Sequence, residues 1–525
     1  MSKHFSSKDT LREKITEGVN ILADNVASTL GPRGRNVILQ QKGEMPIITK
    51  DGVTVAKFVD LKDPVMNAGA QLVKQASYKT NIDAGDGTTT STVLTRAIYN
   101  EALKHIKEGI SPVEIKRGID KTVKEVCVQI ENAARPVMSA EDVAHVASIS
   151  ANNDFGIGDI IAMAVDKVGK DGSITIEEAR SVDTTLVLVE GFRFDSGYAA
   201  TAFVTDQRRN VARYERPLFL ITDHRLDNVE QILPALEIAA REGRPFIIVA
   251  DEIEGQALAA LIMNTVRGSM KVAAVKAPRY GEERRNIMGD LAIATGSRFF
   301  KRELGDDLKD VKLTDFGSAK SIEISKNSTT IVGGDAEQLL LDDRIGTLKN
   351  EIEMTDSLQE CEVIQERITR LASGVAIIKV GAATQVEMLE KKHRIEDALE
   401  AVRSAQMEGI VPGGGSILFR ISQNLSVEDL ENSEQELGFL IIKEALISPV
   451  RVMARNSGYN FEDLASKLSE TSDPKMGINF NSGDLVDLFD LGIIDPAKVT
   501  RCALQNAASV AGILITTDHA IIEAD

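Results

Sequence analysis

One short stretch, Ala84–Thr90, carries the residue types that bind a phosphorylated ligand. Two glycines flank Asp86, so the backbone can approach a ligand where a side chain would collide. Thr88, Thr89 and Thr90 follow at the start of an amphipathic pattern, which predicts a helix N-terminus whose free N–H groups favour phosphate. Asp86 can add a hard oxygen ligand for Mg²⁺. The alternative is an Asp-Gly turn followed by a threonine N-cap with no ligand, and the stretch lacks the ending of a Walker A loop.

Regular elements are predicted on both sides of this stretch. A helix follows it, and an earlier helix with an apolar stripe from Leu11 to Val26 ends at Gly31-Pro32. Val37–Leu39 predicts a strand. Apolar residues on both sides of Lys50-Asp51-Gly52 predict an Asp-Gly hairpin there.

Composition limits the class of protein. A chain of 525 residues is too long for one core, which predicts two or three domains. The net charge of -18 argues against a nucleic-acid partner, which requires a basic face. Three scattered cysteines indicate a reducing compartment, and no histidine spacing is typical of zinc. Because no signal core and no membrane-spanning run is found, we expect a cytoplasmic protein without a membrane partner.

The middle of the chain alternates strands and helices. Strand-like segments at 218–221, 246–249 and 272–275 are separated by helical patterns at 228–241 and 256–267, which predicts a small α/β domain with a largely parallel sheet. Pro136 breaks a helical pattern before this region. Gly191 and Gly374 are either hinges of an inserted module or ordinary strand-end glycines.

Two helices of this region carry more apolar residues than one buried face needs. The segment 257–263 is apolar all round, and Leu233 and Leu236 add apolar surface on the preceding helix. On the pattern alone, full burial is favoured over an exposed binding face.

Later in the chain, Asp397 lies on a charged helix, where it is either a general base or a solvated carboxylate.

Five separated motifs together resemble those of the group I chaperonins, the bacterial GroEL type. They are 29–36 (TLGPRGRN), 49–55 (TKDGVTV), 84–90 (AGDGTTT), 411–415 (VPGGG) and 495–501 (DPAKVTR). The resemblance implies a multidomain α+β and α/β chain with three domains: a mainly helical equatorial ATPase domain, a small intermediate hinge domain and an α/β apical domain. The implied boundaries are 1–133 and 409–525 for the equatorial domain, 134–190 and 374–408 for the intermediate domain, and 191–373 for the apical domain.

The same resemblance implies an ATP site with Mg²⁺ and K⁺. The residues expected around the nucleotide are Thr29, Leu30, Gly31, Pro32, Lys50, Asp86, Gly87, Thr88, Thr89, Thr90, Gly414, Asn479, Phe480, Asn481 and Asp495. Asp86 is implied as the Mg²⁺ ligand, with K⁺ near Thr29, Lys50 and Thr89. Asp397 is implied to activate the attacking water with help from Asp51. Pro136 and Gly409 are the implied lower hinge, between the equatorial and intermediate domains. Gly191 and Gly374 are the implied upper hinge, between the intermediate and apical domains.

The resemblance also reverses the burial expectation for the apolar helices. It implies an exposed apical face that binds unfolded polypeptides and a GroES-type co-chaperonin, formed by Tyr198, Phe203, Leu233, Leu236, Leu258, Ile262 and Met263. It further implies a seven-membered ring, single or stacked in pairs.

The chain departs from the family pattern at several positions. Ala202 replaces a usual aromatic residue, and Ser196 and Gln385 replace a charged pair that joins subunits. At the contact between rings Arg451 is retained, but Asn460 occupies the position of its partner. In a second contact Glu108 faces its own symmetry mate, which predicts a weak interface unless Glu462, Lys104 or Lys107 compensates. The sequence also ends without the Gly-Gly-Met repeats common in the family.

Three functions compete at this point. An ATP-driven folding ring agrees with all five motifs. A metabolic kinase or ligase would need a polar substrate site in the α/β domain, and the sequence shows none. A scaffold without hydrolysis is disfavoured because Asp51, Asp86 and Asp397 are all present.

Overall fold

The computed structural model describes residues 3–41, 43, 46–106, 110–169, 174–179, 181–355, 357–372 and 374–523. These residues form two compact units. The first contains 1–163, 178–185 and 379–525, and the second contains 164–177 and 186–378. The expected three-domain boundaries stay a prediction.

The helices occur throughout the chain. In sequence order they are α1 (Lys8–Ala27), α2 (Gly52–Phe58), α3 (Pro64–Ala84), α4 (Thr88–His105), α5 (Pro112–Ala133), α6 (Ala140–Ser150), α7 (Phe155–Val168), α8 (Val229–Glu242), α9 (Gly255–Val266), α10 (Gly281–Thr295), α11 (Gln338–Met354), α12 (Leu358–Ala372), α13 (Gln385–Glu408), α14 (Ser416–Asn424), α15 (Ser433–Ala445), α16 (Ser448–Ser457), α17 (Phe461–Ser469) and α18 (Ala497–Ile515). Among the described residues, none of these helices combines the length and the apolar character that crossing a membrane requires.

The strands are short, and β5 with 10 residues is the longest of those in the described ranges. In sequence order they are β1 (Lys3–Ser7), β2 (Val37–Leu39), β3 (Ile47–Thr49), β4 (Ile174–Glu178), β5 (Thr185–Phe194), β6 (Ala212–Glu215), β7 (Leu218–Leu226), β8 (Phe246–Ile253), β9 (Val272–Lys276), β10 (Phe299–Phe300), β11 (Gly317–Ile324), β12 (Thr329–Gly334), β13 (Gly374–Val380), β14 (Ile410–Pro412), β15 (Met476–Asn479), β16 (Asp484–Asp487), β17 (Ile494–Pro496) and β18 (His519–Glu523).

The first unit is mainly helical. Helices α1, α3, α4, α5, α15 and α18 bury a shared apolar core, in which Leu94, Ile115 and Leu504 are fully inaccessible. The stripe predicted for the first helix lies in this core, with Leu11, Val19 and Leu22 buried. Short two-stranded sheets join distant segments, and one of them pairs β14 with β17. This pairing brings 410–412 beside 494–496, next to the predicted nucleotide residues.

The second unit is built on one large sheet with the strand order β4-β13-β5-β12-β11-β7-β8-β9. Strands β7, β8 and β9 are parallel and pack against α8, α9 and α10, which confirms the predicted α/β alternation. The expectation of a largely parallel sheet is wrong for the rest of it. Strand β11 pairs antiparallel with β12, β6 and β7, and β12 pairs antiparallel with β5, because hairpin and return strands extend the parallel part.

Candidate functional site

The glycine-rich stretch forms the turn between α3 and α4. Gly85 and Gly87 both have positive φ, 73° and 83°. A Cβ atom on Gly85 would lie 2.2 Å from the Glu400 Cβ, and one on Gly87 would lie 2.6 Å from a Val499 methyl group. Helix α4 begins at Thr88, as predicted, but its N-cap is Gly87 and no side chain caps it. The threonine N-cap alternative is therefore wrong, and the N–H groups of the first turn stay available to a ligand.

Asp51 occupies a different local structure from the one predicted. The Asp-Gly hairpin expected at 50–52 is wrong, because Asp51 is the N-cap of α2 and accepts hydrogen bonds from the backbone N–H groups of Val53 and Thr54, both at 3.1 Å. The hairpin instead pairs β2 with β3. Gly52 lies so close to α4 that an added Cβ would be 2.4 Å from the Thr89 hydroxyl. The start of α2 thus lies beside the start of α4.

The segment 29–32 follows α1, which ends at Ala27, and lies beside the start of α4. The Thr29 hydroxyl lies 3.3 Å from the Thr89 hydroxyl, so two oxygen atoms converge there. Gly31 has a φ of 85° and packs against Met453. Burial lowers the pKa of the Lys50 ammonium, and the Arg394 guanidinium lowers this pKa further. The Glu390 carboxylate acts in the opposite direction and raises it. A desolvated ammonium in this position suits a phosphate oxygen.

Asp86 is a carboxylate in a setting that disfavours its charge. Burial raises the pKa of the Asp86 carboxyl, and the nearby Asp51 charge raises this pKa further. The carboxyl accepts hydrogen bonds from the Ser150 hydroxyl at 2.7 Å and from the Gly87 N–H at 2.5 Å, and these bonds lower the pKa. A divalent cation would compensate this buried negative charge. Ser150, at the end of α6, was not predicted, since a lone serine at a helix end has no distinguishing pattern.

Asp495 is the second perturbed carboxylate. Burial and the Asp86 charge raise the pKa of Asp495 to about 6, while the N–H groups of Gly414 and Gly415 lower it by hydrogen bonding. Strand β17 presents Asp495 directly opposite Val411 on β14. The carboxylate therefore lies at a glycine turn where Gly414 and Gly415 both have positive φ.

The segment 479–481, expected around the nucleotide, begins at the last residue of β15. The Asn479 side chain accepts a hydrogen bond from the Asn481 N–H at 3.0 Å, which forms a local turn. The Phe480 ring is buried in an apolar cluster with Ile478. Arg33 donates to the Asn481 carbonyl at 2.6 Å and so ties this turn to the segment after α1.

Asp397 lies on α13, and an ion pair of Arg394 on the same helix ties α13 to the turn after α6. Arg394, one turn earlier, contacts the Asp154 carboxylate at 2.8 Å and the Glu390 carboxylate at 2.8 Å. It also donates to the Ala151 carbonyl at 3.3 Å. The contacts with Asp154 and Ala151 hold α13 against the turn between α6 and α7, whereas the pair with Glu390 lies within α13. Asp397 lines the same cavity as the glycine turn.

All the predicted nucleotide and catalytic residues line this one cavity of about 430 Å³ in the first unit. It collects side chains from segments that are far apart in sequence, at 29–32, 49–52, 86–90, 145–155, 390–397, 414–418, 478–481 and 491–500. His145, Ser150 and Arg394 also line it and were not predicted. No three acidic, histidine or cysteine residues of the described ranges are grouped to hold a metal ion by themselves.

The seven predicted apical residues all lie in the second unit but differ in exposure. Leu233 on α8 and Met263 on α9 are 45% and 46% exposed, and Tyr198, Leu258 and Ile262 are partly buried. The expected exposure is wrong for Leu236, which is 6% exposed, and for Phe203, which is fully buried. Both side chains belong to the core that packs on the sheet. Val266, which was not predicted, is 69% exposed at the end of α9.

The predicted hinge residues have distinct backbone settings. Gly409 has a φ of 82°. The residues beside Pro136 and Gly409 are paired, because an antiparallel β-bridge joins Arg135 to Ile410. Gly191 lies inside β5, where a Cβ would be 2.2 Å from a Val375 methyl group, and Gly374 begins β13. Their role as hinges stays a prediction.

The positions assigned to contacts between rings are only partly described. Glu108 and Lys107 lie outside the described residues. Arg451 forms an ion pair with Glu444 at 2.8 Å, and Asn460 is the N-cap of α17.

The fold is that of a chaperonin. Residues 22–525 match the TCP-1/cpn60 chaperonin family, so the chain belongs to that family. The structure is similar to two crystal structures of the chaperonin gp146 from bacteriophage EL (Pseudomonas aeruginosa), determined in the presence of ATP-BeFx. One gives a TM-score of 0.68 at 21% identity and the other 0.62 at 20%, and each comparison covers 99% of both chains.

Proposed function

We propose that this chain is the subunit of a ring that hydrolyses ATP to drive protein folding. The observation that carries the proposal is the single cavity in which Lys50, Asp51, Asp86, Asp397 and Asp495 meet the uncapped start of α4. The gp146 structures were determined with an ATP analogue, which supports a nucleotide in the equivalent cavity. A phosphoryl-transfer site needs positioning and charge neutralisation more than covalent chemistry, and these residues supply both.

Each residue has a distinct task in this proposal. The first N–H groups of α4 and the Lys50 ammonium hold the phosphates, and Asp495 binds the ribose near the turn at Gly414. Asp86 would hold Mg²⁺, which would supply positive charge to neutralise the phosphate oxygens. The Thr29 and Thr89 hydroxyls, which lie 3.3 Å apart and share a hydrogen bond, are oxygen ligands of the type that suits K⁺.

Asp397 activates or positions the attacking water. A carboxylate at this cavity can accept the proton of water, and the Arg394 ion pairs hold its helix in register. Asp51 assists as a second carboxylate whose orientation is fixed by its hydrogen bonds to α2.

The α8 and α9 surface captures unfolded polypeptides. Leu233, Met263 and Val266 expose apolar side chains on two helices that pack together, and such a surface binds any chain that has not buried its own apolar residues. A GroES-type co-chaperonin competes for the same surface, and the subunits close into a seven-membered ring.

The proposal is tested by ATP-dependent refolding of a urea-denatured client protein. The parent protein should suppress aggregation without nucleotide and release folded client with ATP and a co-chaperonin. Mass photometry over a salt series should show rings, either single or as a mixture of single and double rings whose proportions depend on salt. Capture without any effect of ATP would contradict the proposal.

A further inference from the structure

The cavity of the first unit has an apolar region beside the charged one that surrounds Lys50 and Asp86. Four of its lining side chains belong to one apolar cluster, namely Leu30, Met453, Ile478 and Phe480. Asn479 and Asn481 add polar side chains next to this cluster. With the phosphates at the uncapped start of α4, the flat base of a nucleotide has this apolar region to occupy.

Part of the apolar region is carried by the tip of a hairpin. Strands β15 and β16 form a two-stranded sheet in which Asn479 pairs with Asp484, so residues 480–483 are its loop. The Asn479 carbonyl accepts hydrogen bonds from the Ser482 N–H at 3.2 Å and the Gly483 N–H at 2.7 Å. These bonds are all local, and a two-stranded hairpin is only marginally stable by itself. Contacts with other segments must therefore fix the position of this tip.

Arg33 makes such contacts from a distant part of the sequence. Its guanidinium donates to the Asn481 carbonyl at 2.6 Å and to the Ser457 carbonyl at 3.3 Å. It also lies 5.8 Å from the centre of the Tyr459 ring, and the Tyr459 hydroxyl donates to the same Asn481 carbonyl at 3.2 Å. Arg33 thus ties the hairpin tip both to the segment after α1 and to the end of α16.

The Tyr459 ring packs closely against the other side of the tip. Gly483 has a φ of 79°, and a Cβ atom there would lie 2.8 Å from a carbon of this ring. Arg33 itself does not line the cavity, although Pro32 before it does. Arg33 can therefore act on a bound nucleotide either through the hairpin tip or through the segment 29–32.

We propose that Arg33 is a positioning residue for the base of the bound nucleotide, an inference that rests on the proposed ATP site. By holding the Asn481 carbonyl, it fixes the tip that carries Phe480 into the apolar region, so that the base meets an ordered surface. A guanidinium suits this task because its fork of donors reaches two carbonyls at once. Since the phosphates bind elsewhere, Arg33 contributes to the affinity for ATP and not to the rate of the chemical step.

The experiment measures steady-state ATP hydrolysis by the assembled protein, with inorganic tripolyphosphate as a competitor that lacks the base. Arg33→Met should raise the KM for ATP by about tenfold, because binding of the base must then order the tip. The kcat and the inhibition constant of tripolyphosphate should stay within about twofold of the parent values, since neither depends on the base.

Two further variants separate this role from a general loss of charge. Arg33→Lys should raise the KM less than Arg33→Met does, because an ammonium can keep the bond to the Asn481 carbonyl. The control Arg117→Met removes an exposed arginine of α5 outside the cavity and should leave all three values unchanged.

The possible results distinguish this inference from the proposed function. An unchanged KM in Arg33→Met would overturn the inference and leave the ATP site in place. Equal losses of affinity for ATP and for tripolyphosphate would also overturn it, since Arg33 would then act on the phosphates through the segment 29–32. A parent protein that neither binds nor hydrolyses ATP would overturn the proposed function, and this inference with it.

Discussion

The two leucines of α8 provide a matched pair that separates the polypeptide-binding surface from the core beneath it. Leu236 is 6% exposed and Leu233, one turn earlier, is 45% exposed. Replacing buried Leu236 by serine removes apolar contacts and buries a hydroxyl, which should cost about 3–5 kcal/mol. Leu233→Ser loses only the buried half of a leucine side chain, on the order of 1 kcal/mol.

These free energies convert to different melting temperatures. In a unit of this size, 1 kcal/mol shifts the melting temperature by roughly 2–4 °C. Leu236→Ser should therefore lower it by roughly 6–20 °C, and Leu233→Ser by roughly 4 °C or less. In a capture assay with a urea-denatured client at room temperature, Leu233→Ser should bind less client while staying folded.

Calorimetry and the capture assay together can refute this reasoning. If Leu236→Ser melts within about 2 °C of the parent, the assignment of Leu236 to the core is wrong. If Leu233→Ser captures client as well as the parent does, the exposed face of α8 is not the binding surface.

Two predictions concern the carboxylates of the cavity in the first unit. Asp86→Ala should weaken Mg-ATP binding measured by calorimetry by at least about tenfold, since it removes the proposed cation ligand, and unchanged affinity would contradict that role. Because the folded-state pKa of Asp495 is raised to about 6, the folded protein holds an extra proton and loses stability as pH rises from about 4 to about 6. Asp495→Asn should therefore raise the melting temperature of the nucleotide-free protein more at a pH of about 7.5 than at about 4.5, and an equal effect at both pH values would contradict this.

Sequence patterns predicted the parts of the structure that depend on local interactions. The glycine turn and the start of α4 follow directly from Gly85, Gly87 and the threonines. The parallel strands and the two helices of the second unit follow from their apolar periodicity. The Asp51 prediction failed because an Asp-Gly pair fits both a hairpin and a helix N-cap, and the helix that follows decides between them.

Contacts between distant segments could not be predicted in this way. The hydrogen bond from Ser150 to Asp86 joins residues 64 positions apart. The apolar pattern alone favoured burial, which is correct for Leu236, and the wrong expectation of exposure at this residue came from the family resemblance.

The most direct test of the proposed activity is the steady-state rate of ATP hydrolysis by Asp397→Ala, with ATP affinity measured on the same sample. The control is Glu387→Ala, which removes an exposed acidic side chain from the same helix outside the cavity. Asp397→Ala should lower turnover by on the order of 10²-fold or more while ATP binding and ring assembly persist. Glu387→Ala should leave turnover, ATP binding and ring assembly unchanged. Turnover in Asp397→Ala close to that of the parent, with ATP still bound, would contradict the account.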